Sequence, residues 1–321
     1  METALNSFDN TAFPLTLPDY SQILCNYDAE RRALWYYINQ TKLCSTQALV
    51  AEVQDLQNRI AAYLKSSPDA CDQIHYLVVA SAVPQVFNLG GDLNLFRQLI
   101  SIRDREKLHQ YARASIDVVY NNWKNLGVPS LTTISLVQGT ALGGGFEGAL
   151  SSNVLIAEES AQMGFPEIVF NLFPGMGAYS FLSRRIEAVR AERFLRSGRQ
   201  YSGRELWEMG VVDIISPDGE GVHAVNDFIR RRKYSRNGQL AIQQVRQRVN
   251  PLTYEELLDV IEIWVDTAMR LSPRDLRVME QLSTAQGQLD ARENQARPRR
   301  FHAEVIASEP PEGKTTALRA G

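Results

Sequence analysis

Two short stretches hold the residues best suited to chemistry. Val137-Gln-Gly-Thr-Ala-Leu-Gly-Gly-Gly-Phe-Glu147 sets three adjacent glycines in front of a carboxylate, and Met163-Gly-Phe-Pro-Glu167 adds a second carboxylate twenty residues on. Glycine runs let a backbone come close to a ligand and aim its N–H groups outward. Two carboxylates converging on that point can move protons while the N–H groups hold an oxyanion. A second glycine loop, Phe87-Asn-Leu-Gly-Gly-Asp92, follows a strand pattern and precedes a helical one, as the first does. Two such loops can each supply one N–H to a single oxygen.

Other chemistries fit less well. Gly143, Gly145 and Gly148 formally satisfy G-x-G-x-x-G, with Glu167 about twenty residues later, which is the pattern of a dinucleotide-binding turn. However, Gly139-Thr-Ala-Leu142 separates the strand from the glycines. Glu147 would also stand in the first helical turn, where a pyrophosphate should sit and would be repelled. Glu167 follows Pro166 in a loop-like stretch instead of ending a second strand. His75, His109, His223 and His302 have no metal-ligand spacing, and no Gly-x-Ser-x-Gly elbow occurs, which disfavours a zinc enzyme or a serine hydrolase. No metal and no cofactor are expected.

The elements that must position these residues alternate. Ala33-Leu-Trp-Tyr-Tyr-Ile-Asn39, Tyr76-Leu-Val-Val-Ala80, Thr132-Thr-Ile-Ser-Leu-Val137 and Val154-Leu-Ile-Ala157 have strand composition and length. From Ser45 to Lys65 the apolar positions Leu49, Val50, Val53, Leu56, Ile60 and Leu64 recur at helical spacing. One long helical pattern is expected from Asp92 to about Trp123, and the glycine run is expected to open the next helix. This alternation predicts an α/β fold with a parallel sheet and crossover helices. Beyond Asp213-Ile-Ile-Ser216 the strand signals stop. Residues 221–290 read as a helical C-terminal region, interrupted at Asn250-Pro251 and Ser272-Pro273. Residues 1–20 read as a mobile lead-in to a core over 21–220, and 291–321 as a disordered tail.

With 321 residues the chain can bury a real core, and 44% hydrophobic and 22% charged residues are those of an ordinary globular protein. A net charge of −3 argues against a general affinity for nucleic acid or anionic membrane. Cys25, Cys44 and Cys71 are odd in number and unclustered, which suits free thiols in a reducing compartment. No basic region precedes an apolar run at the N-terminus, and no stretch approaches the ~18 apolar residues of a membrane span. A cytoplasmic location is expected. The run Arg230-Arg-Arg-Lys233 reads as a solvated helix end, with docking of an acidic carrier protein as the alternative.

Phe87-Asn-Leu-Gly-Gly-Asp92, Val137 to Glu147, Met163 to Glu167 and Leu172-Phe-Pro-Gly-Met-Gly177, in this order and spacing, resemble the crotonase (enoyl-CoA hydratase/isomerase) superfamily over about residues 30–270. The resemblance implies a ββα-repeat core, oxyanion-hole N–H groups at Gly91 and Gly144, and an acid/base pair of Glu147 and Glu167. It also implies a homotrimer or a dimer of trimers. Within the superfamily, the first loop, the stretch Leu172 to Leu182, the early Leu34-Trp-Tyr-Tyr-Ile-Asn39 and the helical C-terminal third look most like the diffusible-signal-factor synthases of bacteria. That likeness implies dehydration of a 3-hydroxyacyl thioester on an acyl-carrier protein to a cis-2-enoyl thioester. Hydrolysis to a free unsaturated fatty acid used in quorum sensing would follow, and a sensor or receptor protein becomes a possible partner. Leu142, Gly143, Met176 and Trp264 would contact the substrate, although Trp264 also stands at the helical spacing of a core residue. Pro84-Gln-Val86 lacks the lysine that CoA-dependent members carry there, which leans from CoA towards a protein carrier. Gly148, directly after the first acid, is smaller than its position leads one to expect. An enoyl-CoA hydratase of fatty-acid degradation and a partner-binding protein of the same fold are the alternatives.

Overall fold

Uninterrupted apolar strands such as Tyr76-Leu-Val-Val-Ala80 need cover on both faces, and the parallel sheet of an α/β protein supplies it. The computed structural model describes residues 15–83 and 85–296. Its strands are β1 (Ile23–Asp28), β2 (Ala33–Ile38), β3 (Tyr76–Ser81), β4 (Val86–Asn88), β5 (Thr132–Val137), β6 (Thr140–Leu142), β7 (Val154–Glu158), β8 (Gln162–Gly164), β9 (Gln200–Ser202) and β10 (Ile214–Ser216). They form a six-stranded sheet, β1-β2-β3-β5-β7-β10, and a four-stranded sheet, β4-β6-β8-β9. In the larger sheet only the β1–β2 pair is antiparallel.

The helices are α1 (Gln47–Leu64), α2 (Pro68–Cys71), α3 (Leu93–Ser101), α4 (Arg105–Trp123), α5 (Gly144–Leu150), α6 (Ala178–Leu182), α7 (Ala188–Ser197), α8 (Gly203–Glu208), α9 (Gly221–Arg232), α10 (Arg236–Val249), α11 (Tyr254–Ala268) and α12 (Pro273–Ala296). Strand alternation sorts the core. Tyr76, Val78 and Ala80 of β3, with Ile134 and Leu136 of β5, face a smaller core closed by Val225 and Ile229 of α9. Leu77 and Val79 face the main core with α1, α4 and α11. Thr46 caps α1 by accepting from the Leu49 N–H, and its buried stripe runs from Leu49 to Leu64.

Several expectations need correction. The single helix expected from Asp92 to Trp123 is two, because Asp92 and Asp104 each cap a helix start, and Arg103 between them takes φ 60°. A strand, β6, stands between β5 and the glycine run. Leu15, Leu17 and Tyr20, within the expected mobile lead-in, pack on the core, and Tyr20 donates to Asp55. Helix α12 continues to Ala296, past the expected start of a disordered tail at 291. The rest of that tail, from 297, and residues 1–14 lie outside the described residues. The α/β class and the crotonase-like core with its helical C-terminal region are as expected.

Candidate functional site

The smaller sheet brings the chemistry together. Strands β4, β6 and β8 lie side by side and parallel. β4 runs into Gly90-Gly91, β6 into Gly143-Gly144, and β8 into Phe165-Pro166-Glu167. Three strands of only three residues thus deliver two glycine loops and one acid at their C-terminal ends, where parallel sheets place ligands. The loops abut: a Cβ built on Gly144 would stand 3.6 Å from the Gly91 nitrogen. Neither the Gly91 nor the Gly144 N–H donates to an acceptor among the described residues. Both glycines line one cavity, with Glu147, Glu167, Met176 and Trp264.

Each loop is held by its neighbours. Asn88 Oδ1 accepts from the Gly90 N–H at 2.9 Å and from Ser45 Oγ at 3.1 Å, which sets the first loop. Gly145 lets α5 seat on β4, since a Cβ there would fall 2.3 Å from the Asn88 carbonyl oxygen. Gly143 has φ +50°, and a Cβ on it would lie 2.3 Å from Glu167 Oε1. That position therefore admits the second acid.

The two acids differ in surroundings. Glu147, on α5, is 1% exposed, and its Oε1 accepts from the N–H groups of Met176 (2.7 Å) and Ala178 (3.0 Å). Burial raises its carboxyl to about 7, against the pull of those two donors. Glu167 opens the 3₁₀ turn Pro166–Phe170 and is half-buried as a residue. Its Oε2 is nevertheless shut from solvent without a hydrogen-bond partner. Burial first, and then the negative charge of Glu147, raises it to about 8. Both acids thus hold their protons to higher pH than an exposed carboxyl does.

The cavity encloses about 1030 Å³ of atom-free space, its open mouth included, and its walls are chiefly apolar side chains of β2, α1, α4 and the 170–176 loop. Trp264 closes one side. It is 2% exposed, crosses the Phe96 ring edge-on at 5.2 Å and leaves no room for a Cβ on Gly175, so it serves core and wall together. Two expected substrate contacts are not among the residues that line this cavity. Leu142 is not on the wall, because β6 turns it towards Leu43, Val83, Val86 and Leu89. Gly143 is not part of the wall either, its Cβ position being taken by Glu167 Oε1. Asn88 and the apolar faces of α1 and α4 were missed, since a helix stripe facing a cavity has the same period as one facing a core.

The Arg230–Lys233 run ends α9, where Arg230 and Arg231 pair with Asp227 and Arg232 lies over the Phe228 ring. The large sheet stands between it and the cavity. Among the described residues, no three His, Cys, Asp or Glu are placed to hold a metal, and no helix is long and apolar enough to cross a membrane.

Comparisons with known proteins bear on the fold and the family. A bacterial fatty acid oxidation complex subunit alpha, from Pseudomonas syringae pv. tomato, is 30% identical over 154 residues, 48% of this chain and 21% of that subunit. A probable mitochondrial enoyl-CoA hydratase 2 of Arabidopsis thaliana is 28% identical over 193 residues, 58% of this chain and 61% of that protein. The chain thus spans about a fifth of the first and three fifths of the second. Among solved structures, an enoyl-CoA hydratase/isomerase from Xanthobacter autotrophicus Py2 shares the fold with TM-score 0.67 at 19% identity, over 87% of this chain and 100% of that one. DspI of Pseudomonas aeruginosa does so with TM-score 0.60 at 23% identity, over 78% and 97%. The family profile for enoyl-CoA hydratase/isomerase matches residues 60–270, well over half of the sequence and the stretch that carries both glycine loops and both acids. By that match, the chain belongs to the enoyl-CoA hydratase/isomerase family.

Proposed function

We propose that this chain removes water from a 3-hydroxyacyl thioester, giving the 2-enoyl thioester. The observation that carries the reading is two unpartnered backbone N–H groups and two carboxyls on the wall of one apolar cavity. A C–H next to a thioester is a poor acid, and its enolate must be stabilised. The N–H groups of Gly91 and Gly144 hold the thioester oxygen, and losing one such donor typically costs ~10²–10³ in rate. The charged carboxyl of the pair takes the α-proton while the neutral one gives its proton to the departing 3-hydroxyl. The pair ends with the proton count it began with, so no outside acid is needed. At rest the charge is better supported on Glu147, which has two N–H donors, than on Glu167, whose Oε2 has none.

The finer reading is a diffusible-signal-factor synthase. In it an acyl-carrier protein presents the substrate, the double bond is cis, and the same pair then activates a water against the thioester carbonyl. The thiol leaves with a proton and the free unsaturated acid is released as a quorum-sensing signal. The motif likeness from Phe87 to Leu182 supports this reading. Assembly as a trimer or dimer of trimers is part of it, and the exposed Ile242, Val245 and Val249 on one face of α10 favour self-association. Incubation with 3-hydroxyacyl-carrier and 3-hydroxyacyl-CoA, with enoyl thioester and free acid measured separately, tests both levels. Enoyl thioester without free acid leaves a hydratase and removes the synthase. No enoyl product from either donor removes the reaction itself.

A further inference from the structure

Gly148 is a glycine that the backbone does not require. It lies inside α5 at negative φ, where glycine is less favourable than alanine. No neighbour requires it either, because a Cβ built there meets nothing within 4 Å. In this it differs from Gly143 and Gly145 on the same run, whose Cβ positions are filled by Glu167 and by the Asn88 backbone. What Gly148 borders is the cavity.

The cavity follows one face of α5, past Gly144, Gly148 and Ser151, which stand about one and then two helical turns apart. Val53 and Gln57 of α1 also line it; Gln57 bonds the Val118 carbonyl of α4, one turn before Asn122, which donates to Ser151 Oγ at 2.8 Å, so Gln57 lies towards the Ser151 end. Gln57 is 1% exposed; its Nε2 donates to the Val118 carbonyl, but its Oε1 lacks a partner. The same walls carry Val53, Val118 and Val119, apolar contacts that suit an alkyl chain.

We propose that Gly148 sets the acyl-chain length this cavity accepts, by leaving open the passage from the oxyanion donors to the Gln57 end. The inference rests on the reading that an acyl thioester occupies the site. With a rise of about 1.5 Å per residue, Gly148 lies about 6 Å beyond Gly144, and Ser151 about 10 Å beyond it. An extended alkyl chain built of ~1.5 Å bonds advances about 1.3 Å per carbon. A side chain at 148 thus meets the acyl group at about its fifth carbon, while glycine leaves the passage beyond it open.

The test compares Gly148→Leu and Gly148→Ala with the unaltered chain on four-carbon and ten-carbon 3-hydroxyacyl thioesters. Calorimetric binding of four-carbon and ten-carbon fatty acids to the same proteins is measured alongside. The expected result is a ten- to hundred-fold shift, about that of displaced methylenes in a pocket, in the kcat/KM ratio towards the short substrate for Leu. Ala should shift it less and melt at higher temperature than the unaltered chain. Selective loss of ten-carbon fatty-acid binding should accompany the shift. A folded Leu variant with an unchanged ratio and unchanged ten-carbon binding overturns the inference; if Leu does not fold, the same two readouts on Ala decide it. Absence of turnover by the unaltered chain on any length is instead a failure of the proposed reaction, and the binding measurements then decide the role of Gly148 alone.

Discussion

Glu147 and Glu167 share a cavity but not a set of partners, and their pH behaviour follows from that. Both carboxyls sit above the ordinary value of 4.5, at about 7 and about 8, chiefly through burial. Turnover needs one acid charged and one neutral, so kcat/KM should trace a bell with its maximum near pH 7–8, both limbs belonging to the pair. A profile flat from about pH 5 to 9 would contradict the shared-proton scheme. Glu147→Gln keeps an oxygen for the Met176 and Ala178 donors and should lose turnover by about 10²–10⁴ without losing the fold. Stability should move oppositely. A folded-state value raised above the unfolded one means full stability below about pH 4.5, lost progressively as pH rises through about 7 and 8. Glu167→Gln should therefore melt close to the unaltered chain near pH 4 and a few degrees above it near pH 9, by calorimetry. At this scale the sequence was largely legible, because acids and glycines at fixed spacing are side-chain facts. Leu142 faces away from the cavity because the side of β6 a residue presents is set by strand pairing, which composition does not encode.

Strands β4, β6 and β8 fix the site with nine residues between them, and their grip depends on close backbone approach. Gly145→Ala tests that grip. Its Cβ would lie 2.3 Å from the Asn88 carbonyl oxygen and 2.8 Å from the Asn88 carbonyl carbon and Cβ, atoms that cannot rotate away. Helix α5 must then lift from β4, taking Gly144 and Glu147 with it. A loss of about 1–3 kcal/mol in stability is expected. Turnover should fall by about a hundred-fold, since misplacement near 1 Å costs that much. Denaturant unfolding and steady-state rates measure the two, and an alanine variant matching the parent in both would show that the contact is not tight. These short strands were also the least legible elements. Three residues span too little chain for a period of two to emerge. The large sheet, by contrast, showed itself through runs such as Thr132 to Val137, buried throughout. The break between α3 and α4 escaped notice because the apolar period continues past it while Arg103 alone turns the chain.

Across the whole molecule the C-terminal helices belong to the site's support. Met279 of α12 and Leu257, Ile261 and Val265 of α11 lie in the main core with Trp264. Helix α12 also reaches back to the first glycine loop: Gln286 Nε2 donates to the Leu89 carbonyl at 2.9 Å, and Asp290 Oδ1 accepts from the Leu43 N–H at 2.9 Å. Leu89 and Leu43 are themselves joined, since the Leu89 N–H donates to the Leu43 carbonyl. Two segments 197 and 247 residues away in sequence are thereby strapped beside Gly90 and Gly91. Such long-range ties cannot be read from local pattern, which is why the charged run from Ala291 suggested an end to order at a point still inside α12. Replacing Gln286 and Asp290 together by alanine should free the Leu43 amide. Its hydrogen exchange should speed up relative to amides of β5, and stability should drop by about 1–3 kcal/mol for the groups left unpaired. If α12 positions the Gly91 N–H, kcat should fall while the pH profile, set by the two acids, keeps its shape. Unchanged exchange at Leu43, or a lowered kcat accompanied by a displaced pH optimum, would mean that α12 does not act through this loop.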